Sequence, residues 1–320
     1  VSAKVFTGGG ARFRSGDTLV ARITPCLENG KIAAVPYLET EVGFGSTEFV
    51  VLRGDGIATD SRFVRYLAMT PEFRDHAVRN LIGSSGRQRV SADVLSQYTF
   101  PVPPLEEQER IAGVLGAFDD LIETNRRLIE SLLDLAESAY VRTASSLPRV
   151  RLGDLVRLNY GKALPARDRV PGVVPVVSSA GITGTHDMAL VNGPGVVVGR
   201  KGTVGTVTWV RDDFYPIDTA FYAVSELPVE LTFQTLTAAG LDTLNSDSAV
   251  PGLNRDRALA QLVPDVRGEP SVRLGEALSS VMSASDDLAV ETADLTRQRD
   301  ELLPLLMSGK VRVRDVEATV

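Results

Sequence analysis

Two arginines and a glutamine crowd one glycine in the run Ser84-Ser85-Gly86-Arg87-Gln88-Arg89. A guanidinium donates in a planar fork that fits phosphate oxygens or the acceptor edge of guanine, and a primary amide can pair with adenine. A solvated turn draws on the same residue types. Arg22 and the segment Asn29-Gly30-Lys31 add further donors, with hairpin-turn chemistry as the competing use. In the second half of the chain the comparable sets are Gly199-Arg200-Lys201-Gly202 and Pro251-Gly252-Leu253-Asn254-Arg255. Lys162, after Tyr160-Gly161, and Ser178, Ser179 and His186, in a polar and Gly-rich stretch, complete the candidates; for His186 a plain surface loop competes.

Other chemistry finds little support. The chain holds one cysteine and two histidines, so no Cys/His cluster of zinc spacing can be drawn, and Cys26 has no evident base beside it to make a nucleophile. His76, beside Phe73, reads as structural, and Trp209 as a packing residue of the second half. Gly8-Gly9-Gly10 lacks the preceding strand and spaced glycines of a cofactor loop, and neither a phosphate loop nor an Asn-Pro-Pro-aromatic or Asp-Pro-Pro-aromatic tetrapeptide occurs. The pairs Asp119-Asp120 and Asp286-Asp287 tempt as metal ligands, but neighbours on a helix point in different directions. They read as a solvated face or a partner contact.

The net charge of −7 is unevenly placed. Residues 1–103 carry +2, 104–147 carry −5, 148–264 are neutral and 265–320 carry −4, so the acidity sits in two segments and the other two leave room for a DNA-facing patch. No apolar run is long enough to span a membrane and the first twenty residues do not resemble a signal peptide, which gives the expectation of a cytoplasmic protein.

The elements that must position the candidate residues are written twice. Gly16-Asp17-Thr18-Leu19-Val20-Ala21-Arg22 is an apolar strand ending in a basic residue, and Gly195-Val196-Val197-Val198-Gly199-Arg200-Lys201 repeats it. The run from Gly45 to Leu52 matches that from Ile217 to Val224, with Thr47 on Thr219 and Phe49 on Phe221. A Gly- and Arg-bearing turn then leads to proline, at Gly86 to Pro101 and again at Gly252 to Pro264, and each unit closes with a long helix.

The first helix steps by three and four through Ile111, Leu115, Phe118, Ile122, Asn125, Ile129, Leu132, Ala136 and Ala139, a coiled-coil seam with one polar position. Pro103 and Pro104 stop the preceding strand and Glu106, Glu107 and Glu109 load the first turn, so the helix is expected from Leu105 to about Ser145, about 60 Å at 1.5 Å per residue. The second is expected from about Val272 to Met307, with Leu274, Leu278, Val281, Leu288, Leu295, Leu302 and Leu306 on its seam and Ser285, Thr292 and Arg299 interrupting it. Packing the two seams as an antiparallel pair is the economical arrangement, and two separate surface helices are the alternative.

The runs Gly16 to Pro25, Glu28-Asn29-Gly30-Lys31-Ile32-Ala33 and Gly45-Ser46-Thr47-Glu48-Phe49 resemble the target recognition domains of type I restriction-modification specificity subunits. Pro101-Val102-Pro103-Pro104-Leu105-Glu106-Glu107-Gln108-Glu109-Arg110-Ile111-Ala112 is similar to the opening of the helix that follows each such domain, and Leu305-Leu306-Met307-Ser308-Gly309-Lys310-Val311 to the family's tail. The resemblance implies an α+β fold with a pseudo-twofold internal repeat: recognition domains at 1–103 and 148–268, and long antiparallel coiled-coil helices at 104–147 and 269–320. It implies a non-catalytic subunit that reads a bipartite sequence in double-stranded DNA. The seam residues of both helices would serve coiled-coil and docking roles toward two modification and two restriction subunits. S-adenosylmethionine would sit on the modification subunit, ATP and Mg on the restriction subunit, and neither cofactor nor metal on this chain. A specificity chain of a related DNA-modification defence system shares these features; a catalytic methyltransferase and a coiled-coil scaffold with non-DNA heads are the remoter readings.

One departure stands out. The second unit opens at Val150-Arg151-Leu152-Gly153-Asp154-Leu155, about forty residues before its Gly195 strand, whereas the first reaches its equivalent strand at Asp17. About forty residues are expected to be missing from the first domain. A piece of a longer chain, a mis-assigned start, and strands supplied from elsewhere each satisfy that count.

Overall fold

The computed structural model describes residues 9–84, 86–244 and 252–313. It divides into two compact units, Val1–Thr124 with Glu291–Val320, and Asn125–Val290. Both mix helix and strand.

In the first unit the elements are β1 (Ala11–Phe13), β2 (Thr18–Ala21), β3 (Ile32–Ala34), β4 (Gly43–Gly45), β5 (Phe49–Leu52), α1 (Ser61–Met69), α2 (Pro71–Arg79), α3 (Ala92–Ser96) and the first part of α4 (Leu105–Ala144). The antiparallel sheet runs β3-β2-β5, while β1 and β4 form a separate ribbon. Val20 and Val50, directly opposite each other, turn inward onto Ala68, Phe73 and Ala77. Asp60 caps α1 by accepting from the Phe63 N–H, and Thr70 caps α2 the same way for Phe73, with Pro71 at the first helical position where no N–H is needed.

Gln108 fastens the start of α4. Fully buried, it donates to the carbonyls of Ala58 (2.8 Å) and Pro103 (2.8 Å) and accepts from the Asp60 N–H (3.0 Å), so one amide joins the α1 cap to the helix. Phe63 and Tyr66 of α1 then pack with Ile111, Ala112 and Leu115 of α4 and with Leu303, Leu306 and Met307 of the last helix. Within this unit those two helices run antiparallel: Arg299 pairs with Asp119, while Leu306 and Met307 line one cavity with Ile111.

The second unit contains β6 (Arg149–Arg151), β7 (Val156–Tyr160), β8 (Val174–Ser178), β9 (Gly181–His186), β10 (Gly195–Gly199), β11 (Val207–Val210), β12 (Tyr215–Pro216), β13 (Ala220–Ser225), α5 (Val229–Ala238), α6 (Arg255–Leu259), β14 (Leu262–Pro264) and α7 (Glu269–Met307), which continues into the first unit. Its main sheet runs β11-β10-β13-β7, beside the sheet β12-β8-β9 and the pair β14-β6. The uninterrupted apolar run of β10 is explained by burial on both faces: Val196 and Val198 face Leu231 and Leu236 of α5, and Val197 faces Val177 and Phe214. Ala136, Tyr140 and Ala144 of α4 share the first of these cores with Leu274 and Leu278 of α7.

The order β3-β2-β5 recurs as β11-β10-β13, followed in the first unit by α1, α2, the short capped α3 and α4, and in the second by α5, the short capped α6, β14 and α7. The second unit adds β7 outside β13; among the described residues of the first, β5 has only β2 as a sheet partner. The expected alignment of Phe49 with Phe221 is off by one residue. Ala21 faces Phe49, and Gly199 faces Ala220, so Phe49 corresponds to Ala220 and the buried Val50 to the buried Phe221. Inward burial sets the register, not the position of the aromatic.

Helix α4 ends at Ala144, close to the expected Ser145. Helix α7 begins at Glu269, close to the expected Val272, and Pro270 in the first turn costs no hydrogen bond. The seams are covered: Ile111, Leu115, Ile122, Asn125, Leu274, Leu278 and Leu306 are buried, and Phe118, Ile129, Leu132, Val281, Leu288, Leu295 and Leu302 partly so. These residues are thus used inside the fold, as a coiled-coil role requires. What α4 leaves exposed is a heptad-spaced row of Leu121, Leu128 and Leu135. Among the described residues no helix is long and apolar enough to cross a membrane.

Candidate nucleic-acid interface

Strand β10 delivers Arg200 to the end of its sheet. The Arg200 N–H donates to the Thr219 carbonyl (2.9 Å), and the Arg200 carbonyl accepts from Leu253 (2.8 Å) just before α6. The tight turn that follows explains its glycines: a Cβ on Gly199 would run into the Thr203 carbonyl, and Gly202 and Gly205 have φ of +81° and +76°. The Arg200 side chain donates to the Asp218 carbonyl (3.0 Å), and its guanidinium carbon lies 4.9 Å from the centre of the Tyr160 ring and 5.9 Å from that of Phe221. Arg255, the first residue of α6, stands over the same Tyr160 ring at 5.3 Å.

Lys162 and Lys201 complete the cluster. Gly161 must be glycine, because a Cβ there would meet the carbonyls of Pro216 and Ile217, and that approach holds Lys162 by a 3.0 Å bond from its N–H to Pro216. Lys201 donates its N–H to Thr219 (3.1 Å). Ser179 lies alongside, its N–H on the Thr219 hydroxyl (3.3 Å). Among the described residues no carboxylate is within ion-pair distance of Lys162, Arg200 or Lys201, while Arg255 has only its exposed neighbour Asp256 at 3.7 Å.

The other nominated side chains of this unit have local duties. Ser178 is buried and closes its own turn, donating to the Gly181 carbonyl and accepting from Ala180. His186 is buried, accepts from the Val170 N–H at Nδ1 (3.1 Å) and sets its edge against Tyr215. Asn254 caps α6 by accepting from the Arg257 N–H (2.9 Å).

The first unit repeats the device with different charges. Arg22 donates its N–H to the Glu48 carbonyl (2.9 Å) and accepts from Val90 (3.0 Å), which places it as the counterpart of Arg200, with Glu48 where the second unit has Thr219. The loop returns alongside, since Gln88 and Thr24 exchange bonds of 3.0 and 3.1 Å. Arg89 forks onto Glu48 through Nε (2.9 Å) and Nη2 (2.7 Å), and Arg89, with Arg22 nearby, holds the Glu48 carboxyl below its usual range. Arg22 Nε is buried without a hydrogen-bond partner among the described residues. Ser84 and Arg87 are exposed on the turn, and Ser85 lies outside the described residues. Asn29 and Lys31 flank Gly30 (φ +62°) and line a separate cavity of about 300 Å³ with Arg74 and Leu303.

Residue types alone did not single out Tyr160, Glu48 or Thr219. For Tyr160 the available signal was an aromatic immediately before Gly161-Lys162. The acidic pairs divide: Asp120 and Asp287 are exposed, as a solvated face requires, whereas Asp119 and Asp286 are used inside the fold. Asp119 accepts from Tyr66 (2.7 Å), Arg65 (2.8 Å) and Arg299 (2.7 Å), and Asp286 accepts from the Trp209 indole (3.2 Å). Each ties its long helix to the globular part of its own unit. Trp209 packs edge-on against Phe233, and His76 reaches the Val94 carbonyl (3.1 Å) beside Tyr98. No group of three His, Cys, Asp or Glu among the described residues is arranged to hold a metal.

Comparison with known proteins points one way. Residues 10–134 match the family model described as the type I restriction modification DNA specificity domain. The EcoAI specificity subunit of the Escherichia coli type I restriction enzyme is 31% identical over 136 residues, which is 39% of this chain and 23% of that protein. The MjaIX specificity subunit of Methanocaldococcus jannaschii is 26% identical over 153 residues, 41% of this chain and 34% of that protein. The matched stretch thus spans about a quarter to a third of these relatives. A crystal structure of the type I restriction-modification system S subunit from M. genitalium superposes with a TM-score of 0.58 over 93% of this chain and 84% of that one. At 19% identity that likeness is one of fold.

Proposed function

Because residues 10–134 match the type I restriction modification DNA specificity domain, we propose that the chain is a member of the specificity-subunit family, that it reads a two-part DNA sequence, one part with each unit, and that it does no chemistry itself. The observation that carries this reading is the recurrence of one basic strand end in both units: Arg22 with the 84–89 loop, and Arg200 with Lys201, Lys162 and Arg255. Forked donors on a fixed turn suit base edges and phosphates alike. On this reading the units are two copies of one recognition domain, and α4 and α7 form the antiparallel coiled coil that spaces them. Two modification subunits bring S-adenosylmethionine for adenine methylation, and two restriction subunits bring ATP and Mg. The exposed Leu121, Leu128 and Leu135 are surfaces for such partners.

Methylation sequencing of DNA from cells carrying the full system is the test. A bipartite adenine motif with a fixed gap is expected; a single continuous motif, or methyl transfer by the purified chain alone, would overturn the assignment. Mobility shifts should weaken steeply with salt if phosphates carry much of the affinity.

A further inference from the structure

In the second unit two guanidinium groups share a single aromatic ring. Arg200 and Arg255 come from different segments, yet their side chains lie 4.9 and 5.3 Å from the centre of Tyr160. Like charges so close would repel and splay in water, but the negative face of a ring attracts both. The ring itself is fixed: Tyr160 pairs across the sheet with Phe221, and the two rings sit 5.0 Å apart. It nevertheless remains 49% exposed, so what it holds stays within reach of a ligand.

We propose that Tyr160 is a positioning residue for DNA binding, stacking Arg200 and Arg255 into one preorganised pair of forks. Free arginine side chains lose rotamer freedom when they bind, and a ring that orders them beforehand removes part of that loss. The first unit reaches a similar end by another route, because Arg89 is ordered by the carboxylate of Glu48. The inference rests on the DNA-reading assignment, and the experiment separates the two.

Fluorescence anisotropy of the full chain on duplex DNA carrying the sequence found by methylation sequencing is the assay, with Tyr160→Phe, Tyr160→Leu, Arg200→Ala, Arg255→Ala and the double variant Tyr160→Leu/Arg200→Ala. Tyr160→Phe keeps the ring and should stay within about two-fold of the parent, whereas Tyr160→Leu should bind about ten-fold more weakly. Its charge is unaltered, so a salt slope shallower by about one would report a disengaged arginine, which a general loss of folded protein does not produce. The double variant should bind about as Arg200→Ala does, since the leucine has removed what the arginine needed. Parental affinity in Tyr160→Leu, or additive losses in the double variant, overturns the positioning role while leaving DNA reading intact. Parental affinity in both arginine variants overturns the DNA assignment at this face and the positioning role with it. Should Tyr160→Leu fail to fold, Arg200→Lys is the deciding arm. It retains charge without the planar stack, so a loss close to that of Arg200→Ala supports the proposal and parental affinity refutes it.

Discussion

At the end of β2 the first unit places Arg89 on the carboxylate of Glu48, whereas at the equivalent end of β10 the second unit has Thr219 and lets Arg200 lie on Tyr160 and Phe221. The anchors of the long helices differ in the same manner. Asp119 takes bonds from two arginines and a tyrosine, while Asp286 takes one indole N–H. One backbone plan thus serves with ion pairs in one unit and with aromatic contacts in the other. Backbone hydrogen bonds and inward burial define the repeat, and the side chains around its ends are free to differ.

The anchors offer the largest contrast. In Asp119→Ala the partly buried Arg65 loses its carboxylate, the buried Tyr66 hydroxyl loses its acceptor and the mostly buried Arg299 is left with Asp300 alone; breaking such a partly buried network costs about 3 kcal/mol. Asp286→Ala removes a single neutral donor's acceptor and should cost about 1 kcal/mol. Hydrogen exchange followed separately on α1 and β11 measures each unit, and equal losses of protection would break the comparison. Gln108→Leu comes next. It strands the Asp60 N–H and the carbonyls of Ala58 and Pro103, for about 2 kcal/mol, readable as faster exchange in the first turns of α1 and α4.

The charge swap can be made directly. Glu48→Thr gives the first unit the residue of the second, releasing Arg89 from its carboxylate and removing one negative charge near Arg22. Non-specific DNA affinity should rise by about three- to ten-fold at low salt, with a salt slope steeper by about one. Thr219→Glu should move both quantities the other way. A fall in affinity for Glu48→Thr would mean that the carboxylate serves chiefly to orient Arg89.

Much of this plan was legible in the sequence. The doubled strand ending in arginine, the α4 start after Pro103-Pro104 and the heptad seam all depend on local pattern, and the structure places them where that pattern pointed. Long-range partnership was not legible. Tyr66 lies 53 residues from Asp119 and Arg299 lies 180 away, so the acidic pair looked solvated when only its neighbours could be seen. Similarly, Ser178, His186 and Asn254 have residue types that could read DNA, but their turns and caps use the polar atoms first. The one-residue slip at Phe49 shows two local signals in conflict, an aromatic match against a burial match, and burial prevailed.

The smallest expected effect is in pH, where two carboxylates should pull in opposite directions. Glu48 is held below its ordinary value of 4.5 chiefly by the hydrogen bonds from Arg89, so its contribution is present above that value and is lost as pH falls through the lower, folded one. Asp286 is raised above 3.8, first by burial, against which the Trp209 bond works only in part. The folded second unit therefore binds that proton more tightly than the unfolded chain does. Its contribution is full below about 3.8 and disappears as pH rises through the folded value. Asp17 sides with Glu48: burial alone would raise it, but the fork from Arg53 and the Arg14 N–H bring it below its ordinary value. Acidification should thus loosen the Arg89 clamp and the Asp17–Arg53 pair of the first unit while relieving the burial penalty on the Asp286 charge in the second. Carboxyl titrations followed by NMR, in the parent and in Asp286→Asn, read this directly. If Asp286 titrates at or below 3.8, the aromatic anchor is better solvated than its burial implies, and the electrostatic contrast between the units narrows to Glu48 and Thr219.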